Sequence, residues 1–268
     1  MKTGRQRVWR WSAKGSRRGI DELAVEEPLQ IRVDTRPFVV TMRTPGNDNE
    51  LAAGFLFTEG LIRSAQDLRD IWLNRRNRFG NSLDVFLAPD VSIRFERTAR
   101  HGFASSSCGI CGKESIRAIR RRLKPVCSRI VVDGKVLLSL PEKLNAAQPA
   151  FQRTGGLHAA GIFTRDGELV VAREDIGRHN AVDKVIGFGL LNGLLPFDEH
   201  VLVVSGRASF EIMQKSLAAR LAIVCAVSAP SSLAAEFARS NRQTLVGFLR
   251  CERMNVYTGS RRIHFGRE

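Results

Sequence analysis

Ser107-Cys108-Gly109-Ile110-Cys111-Gly112 contains the only patterned cysteines in this chain. Two cysteines three apart admit four readings: a zinc site, a redox dithiol, a nucleophilic sulfur carrier, or coincidence. A structural zinc site takes four ligands, and the remaining cysteines and the five histidines are scattered. A thioredoxin-like motif belongs between a strand and a long helix, and the polar run Ser105-Ser106-Ser107 fits that placement poorly. Downstream, Ile116, Ile119 and Leu123 recur at helical spacing over 113–123, with Pro125 as the stop. The motif is therefore expected on a loop feeding a helix N-terminus. A thiol there is acidified by the helix dipole, and flanking glycines leave it open to a bulky donor. That environment suits persulfide chemistry, in which one thiol accepts sulfane sulfur and a second assists. Spacing alone leaves all four readings standing.

The second half holds a different set of polar residues. Thr154-Gly155-Gly156-Leu157-His158-Ala159-Ala160-Gly161 is a small-residue turn entering a strand, where His158 is either a satisfied histidine or a ligand contact. A zinc nucleobase deaminase needs H-x-E ahead of P-C-x-x-C. Here the order is reversed and Ala160 occupies the glutamate position, which argues against deamination. The stretch Arg173–Lys184 is the densest polar cluster, and Asp175, His179, Asn180 and Asp183 exceed what helix capping requires, so ligand contacts are expected there. Ser205-Gly206-Arg207-Ala208-Ser209 and Ser228-Ala229-Pro230-Ser231-Ser232 each follow an expected strand and open a helix. Free backbone N–H groups at such helix starts bind anions, and strand C-terminal ends are where open α/β sheets place ligands. Two such loops, one bearing Arg207, point to a phosphate-bearing ligand.

The elements that position these groups follow from periodicity. Residues 1–25 are basic, without evident period, and read as a mobile arm. Residues 26–124 read as a smaller mixed α+β lobe carrying the cysteine loop, with strands between Leu29 and Thr44, a helix over Leu51–Phe57 capped by Asn47–Glu50, and further strands at Ile71–Leu73 and Leu83–Phe95. Residues 125–268 read as an α/β domain. A hairpin turns at Asp166-Gly167; strands at Val201–Val204, Ala222–Val227 and Thr244–Leu249 then alternate with helices at Phe210–Arg220 and Ser231–Ser240, preceded by a helix over Gly177–Gly193. That alternation predicts a mainly parallel sheet covered on both faces.

Composition bounds the setting. The chain has 42 basic and 27 acidic residues, a net charge of +15, and the basic residues are mostly arginine, the side chain whose fork matches phosphate. A nucleic-acid module would rest on charge alone, since one Tyr and three Trp give little stacking capacity. Mean hydropathy is −0.14. No apolar run approaches the roughly 20 residues that span a bilayer, and the first 30 residues lack a secretory core segment. Five sparse cysteines fit a reducing compartment, and Cys225 inside Leu221–Val227 reads as a buried hydrophobe. A cytoplasmic protein without membrane or nucleic-acid partners is expected.

Ser106–Gly112, Gly155-Gly156-Leu157-His158, Glu174–Lys184, Ser205-Gly206-Arg207 and Asn255-Val256-Tyr257-Thr258 together resemble the formate dehydrogenase accessory sulfurtransferase family, over about residues 30 to 260. The resemblance implies a sulfurtransferase that takes persulfide sulfur from a cysteine desulfurase. It passes that sulfur to the molybdenum bis(molybdopterin guanine dinucleotide) cofactor, a bound substrate destined for formate dehydrogenase, with no permanently held cofactor or metal. It implies a cytidine-deaminase-like layered fold and a homodimer. By the family pattern Cys108 holds the persulfide with Cys111 as partner thiol, and the guanine dinucleotide meets a strand segment at Phe248, Leu249, Arg250, Cys251, Glu252 and Arg253. GDP is the expected mimic, drawing also on Ser205, Gly206, Arg207, His158, Asp175, His179 and Asn180. The rival reading is a carrier that binds and delivers the cofactor without moving sulfur.

Overall fold

A computed structural model describes residues 2–74, 80–91 and 123–266. Cys108, Cys111 and the helix expected over 113–123, save Leu123, lie outside the described residues, as do the last positions of the strand expected to reach Phe95.

The chain opens with a two-stranded antiparallel hairpin, β1 (Thr3–Ser12) and β2 (Gly15–Ala24), in unbroken register from Thr3↔Ala24 to Ser12↔Gly15. This corrects the expectation of an aperiodic arm over residues 1–25. The alternation was hidden because the ribbon has no buried face: Trp9, Trp11 and Ile20 are 65%, 80% and 61% exposed, among arginines on both strands. Its base is tied down, with Arg153 paired to Glu22 and donating to the Thr3 hydroxyl.

The next lobe is a four-stranded sheet ordered β4-β3-β6-β5, from β3 (Glu27–Val33), β4 (Arg36–Arg43), β5 (Leu68–Leu73) and β6 (Ser82–Leu87). Leu29, Ile31 and Val33, and Leu83, Val85 and Leu87, alternate toward one buried face, as period-two sequence demands. Helix α1 (Asp48–Thr58) covers that face with Leu51, Ala52, Phe55 and Leu56.

The larger sheet has six strands ordered β13-β12-β11-β10-β8-β9: β8 (His158–Thr164), β9 (Leu169–Asp175), β10 (His200–Val204), β11 (Ile223–Ala226), β12 (Thr244–Gly247) and β13 (Asn255–Thr258). Only β10, β11 and β12 run parallel to one another; β8 is antiparallel to β9 and β10, and β13 to β12. The sheet is mixed, not mainly parallel. The tight turn at Asp166-Gly167 forces β8 and β9 antiparallel, and the link from β12 to β13 is too short for the crossover a parallel return requires. Both faces are covered, as expected. One packs α4 (Arg178–Leu191), α5 (Phe210–Ala218) and α6 (Ser232–Ser240) over Ile162, Leu202, Val204 and Val224. The other packs α2 (Gly134–Ala146) over Phe163, Val201, Val203 and Ile223. A short helix α3 (Pro149–Thr154) leads into β8, while β7 (Val132–Asp133) pairs with β14 (Ile263–His264) at the periphery.

The lobes meet along α1 and α4, where two glycines permit backbone contact. A Cβ on Gly54 would collide with the Asp183 carbonyl, and one on Gly187 with the Glu50 carbonyl. This close approach explains why α4 is buried almost all round. Polar bonds reinforce the seam: Arg173 forks onto Glu50 at 2.6 and 2.7 Å, and Lys215 pairs with Asp183 at 2.8 Å beside the Thr58 hydroxyl.

Candidate functional site

The parallel strands end together, and their C-terminal edge gathers most of the residues singled out above. Loop backbones extend the ladder past the strands: Val227 N donates to Val204 O, Ser231 N to Ala208 O, Phe248 N to Ser228 O and Leu249 N to Ala226 O, all at 3.0 to 3.1 Å. Being antiparallel to β10, β8 starts at this edge with His158, and β9 ends here at Asp175. Helices α4, α5 and α6 therefore all present their N-termini to the same rim, where unpaired N–H groups and the helix dipole favour negative charge. Ser231 caps α6 by accepting from Ala234 N at 3.2 Å.

His158, Ser205, Gly206, Arg207 and the 248–253 segment share this edge. Ser205 is part of the frame: its hydroxyl accepts from Ala159 N at 2.8 Å and its N–H donates to Ala159 O at 2.9 Å. Gly206 packs closely here: a Cβ there would lie 3.3 Å from His158 Nδ1 and 3.6 Å from Arg178 Cδ. Arg207 is exposed. The segment from Phe248 to Arg253 is a loop, not a strand: Phe248 adopts φ 51°, which leaves the extended region, and Arg250 N closes a turn onto Arg253 O at 2.8 Å. Arg250, Glu252 and Arg253 are exposed and Leu249 is buried beneath them. The exposed Cys251 thiol donates to Glu142 at 3.3 Å, and that carboxylate holds its pKa above the usual thiol value.

Asp175 and Asn180 lie behind the edge, in the seam between lobes, and this corrects their expected ligand contacts. Asp175 is fully buried and its oxygens accept from Thr44 N, Gly177 N, Asn180 Nδ2 and Lys184 Nζ, the last at 2.7 Å. Asn180 Nδ2 also donates to Met42 O at 2.8 Å, so both of its amide hydrogens serve the scaffold. Desolvation lowers the pKa of the buried Lys184 ammonium, and Asp175 counters it. His179 is 6% exposed, with Nε2 3.2 Å from the Ser209 hydroxyl and 3.5 Å from Glu211, so it braces the starts of α4 and α5. The sequence reading passed over Arg178. It opens α4 directly after Gly177 at the end of β9, a strand-to-helix position whose side chain faces the sheet edge beside His158.

Burial is the main cause of a depressed His158 pKa; the Arg178 guanidinium adds to it, Asp175 opposes it, and Arg207 lowers it further. That depression favours the neutral imidazole in a cationic rim. Such a rim can hold phosphates by forked arginines and helix N–H groups, with His158 as a neutral hydrogen-bonding group.

The FdhD/NarQ family model matches residues 24–264. The chain belongs to that family. Among family members, sulfur carrier proteins FdhD from Streptomyces coelicolor and Nocardia farcinica are each 48% identical, over 91% and 97% of this chain and 89% and 95% of theirs. A third of that name, from Saccharolobus solfataricus, is 43% identical over 91% of each chain. A crystal structure of a candidate formate dehydrogenase accessory protein from Desulfotalea psychrophila superposes with a TM-score of 0.80 at 24% identity, covering 98% of this chain and 100% of that one. The shared fold of this FdhD/NarQ chain is thereby fixed as mixed α/β with several sheets.

Proposed function

We propose that this chain is a cytoplasmic sulfurtransferase serving a formate dehydrogenase, and the observation that carries the reading is its 48% identity, over most of both chains, to proteins named sulfur carriers. In this reading Cys108 thiolate attacks the terminal sulfur of a cysteine desulfurase persulfide. The new bond joins Cys108 Sγ to the sulfane sulfur, the old S–S bond breaks, and the desulfurase cysteine leaves as thiolate. Attack by Cys111 on Cys108 Sγ then releases hydrosulfide and leaves a Cys108–Cys111 disulfide. The dithiol supplies the two electrons, and a cellular thiol reductant restores it. The sulfur's acceptor is molybdenum bis(molybdopterin guanine dinucleotide), bound as substrate along the edge formed by Arg178, Arg207, Arg250 and Arg253. That rim supports the reading because guanine dinucleotides bring pyrophosphates, which arginine forks and three converging helix N-termini suit. A cytidine-deaminase-like layering and a homodimer complete the proposal, the first supported by helices on both faces of the six-stranded sheet.

Incubation with a desulfurase and cysteine, followed by mass spectrometry, should show one added sulfur on Cys108, absent in Cys108→Ala. GDP binding measured by calorimetry should weaken roughly ten-fold or more in Arg250→Ala/Arg253→Ala, the loss expected for charge-assisted contacts. Normal sulfur loading of Cys108→Ala would overturn the transfer route, and unchanged GDP affinity the placement of the cofactor.

A further inference from the structure

At the opposite end of the parallel strands lies a second concentration of positive charge. The C-terminus of α6, the end of β13 and the 3₁₀ turn Ser260–Arg262 enclose a cleft of about 450 Å³ lined by Arg239, Arg242, Arg261 and Arg262. Arg262 is 3% exposed, and its donors go to Ser128 O, Arg242 O and the Thr244 hydroxyl at 2.8 to 3.4 Å. These oxygens satisfy the N–H groups but carry no formal negative charge. Burial, with Arg261 alongside, pushes the Arg262 pKa down. Among the described residues none of the four guanidiniums has a carboxylate within salt-bridge distance, whereas Arg43, Arg153 and Arg173 all do.

Arg242 sharpens the point. Helix α6 ends with Gln243 N on Ala238 O and Arg242 N on Arg239 O, which puts Arg242 at the position where glycine is favoured, at φ 58°. A side chain is strained in that left-handed conformation. Four like charges then surround one cleft, where a low-dielectric wall focuses their field and an anion relieves both repulsion and desolvation. Guanidinium forks match phosphate. A volume in the range of roughly 300–1,000 Å³ suits a small molecule. Ser260 and the 37%-exposed Tyr257 also line it.

We infer that this cleft is an anion site for the phosphate groups of a small molecule, separate from the edge at Ser205 and Arg250 and independent of the sulfur reading. The site is tested on the full chain with pyrophosphate, followed through the backbone amide resonances of Tyr257, Gly259 and Ser260. Saturable shifts of those three are expected, with affinity falling roughly ten-fold or more in Arg239→Gln/Arg261→Gln. Both arginines are exposed, so this variant keeps the fold, and Arg262 stays in place. Arg250→Gln/Arg253→Gln, at the far edge, should leave the shifts within about two-fold of the parent affinity, well under the ten-fold set by one charged contact. A GDP arm separates sources: shifts at both ends of the sheet mean that the cleft also accepts a nucleotide's phosphates, and shifts from pyrophosphate alone mean that it takes the free anion; either supports the site. The inference is overturned if pyrophosphate moves only residues 205–209 and 248–253, if the shifts survive Arg239→Gln/Arg261→Gln, if no shift occurs, or if a poly-glutamate peptide binds the cleft more tightly than pyrophosphate.

Discussion

His158 shows how one side chain can report on the whole rim. Its folded-state pKa lies below 6.5, for which burial and Arg178 are the leading causes. The folded form therefore binds fewer protons than the unfolded form between that depressed value and 6.5. Its contribution makes stability rise with pH across this window and level off above 6.5; on acidification stability is lost while only the unfolded form protonates, and the loss stops once the folded form protonates too. A phosphate ligand at the edge adds negative charge and must pull the His158 pKa upward. An NMR titration of its ring should give a midpoint below 6.5 in the free protein and a higher one with GDP. A midpoint unmoved by saturating GDP would place the nucleotide away from His158. Several residue roles could be read without a structure. Cys225, read as a small hydrophobe, is fully buried, and burial pushes its thiol far up, so it is inert in the folded chain. Other roles could not. Asp175 and Asn180 look like ligand contacts because a helix start rich in polar groups usually serves solvent or substrate, and their true partners, Thr44 and Met42, are over 130 residues away in sequence.

Elements assemble here by one close helix crossing and two buried ion pairs. Gly54→Ala or Gly187→Ala forces a methyl into a backbone carbonyl across α1 and α4, where neither chain can yield without parting the lobes. Each should cost about 3 kcal/mol or more, the upper range for overpacking, seen as a drop in the urea midpoint. A loss under about 1 kcal/mol would mean that the crossing is looser than described. The Asp183–Lys215 pair sits beneath it, and Asp183 holds the fully enclosed ammonium above its usual pKa. Lys215→Met strands a buried carboxylate and should cost about 3–5 kcal/mol, much of it recovered in Asp183→Leu/Lys215→Met. No recovery in the double variant would assign the loss to packing alone. Sequence patterns marked most strands and helices in place, because alternation and 3.6-residue periods survive wherever one face is buried. They failed at the β1–β2 ribbon, whose tryptophans face solvent, and in sheet direction, which the hairpin turn at Gly167 sets locally while the strand–helix alternation implied otherwise.

At the scale of the molecule, charge is distributed so that both ends of the six-stranded sheet are cationic, and the proposed chemistry needs only one of them. The Ser205–Arg250 edge is the proposed phosphate grip, and the thiols at Cys108 and Cys111 belong to a separate stretch of chain outside the described residues. Sulfur loading and cofactor binding should accordingly be separable by mutation. Cys108→Ala should abolish formate dehydrogenase maturation in cells lacking the native factor while leaving GDP affinity intact, since the change removes a nucleophile and no phosphate contact. Arg250→Ala/Arg253→Ala should do the converse, accepting sulfur from the desulfurase normally yet failing in maturation for want of cofactor. Cys127→Ala and Cys225→Ala should mature the enzyme as the parent does, the second because burial pushes its thiol far above the usual pKa. Two defects that complement in a mixed population would further show that the proposed homodimer can draw its thiol and its grip from different copies. Active dehydrogenase in cells carrying only Cys108→Ala would remove sulfur transfer from this chain and leave a protein that binds the cofactor and hands it on.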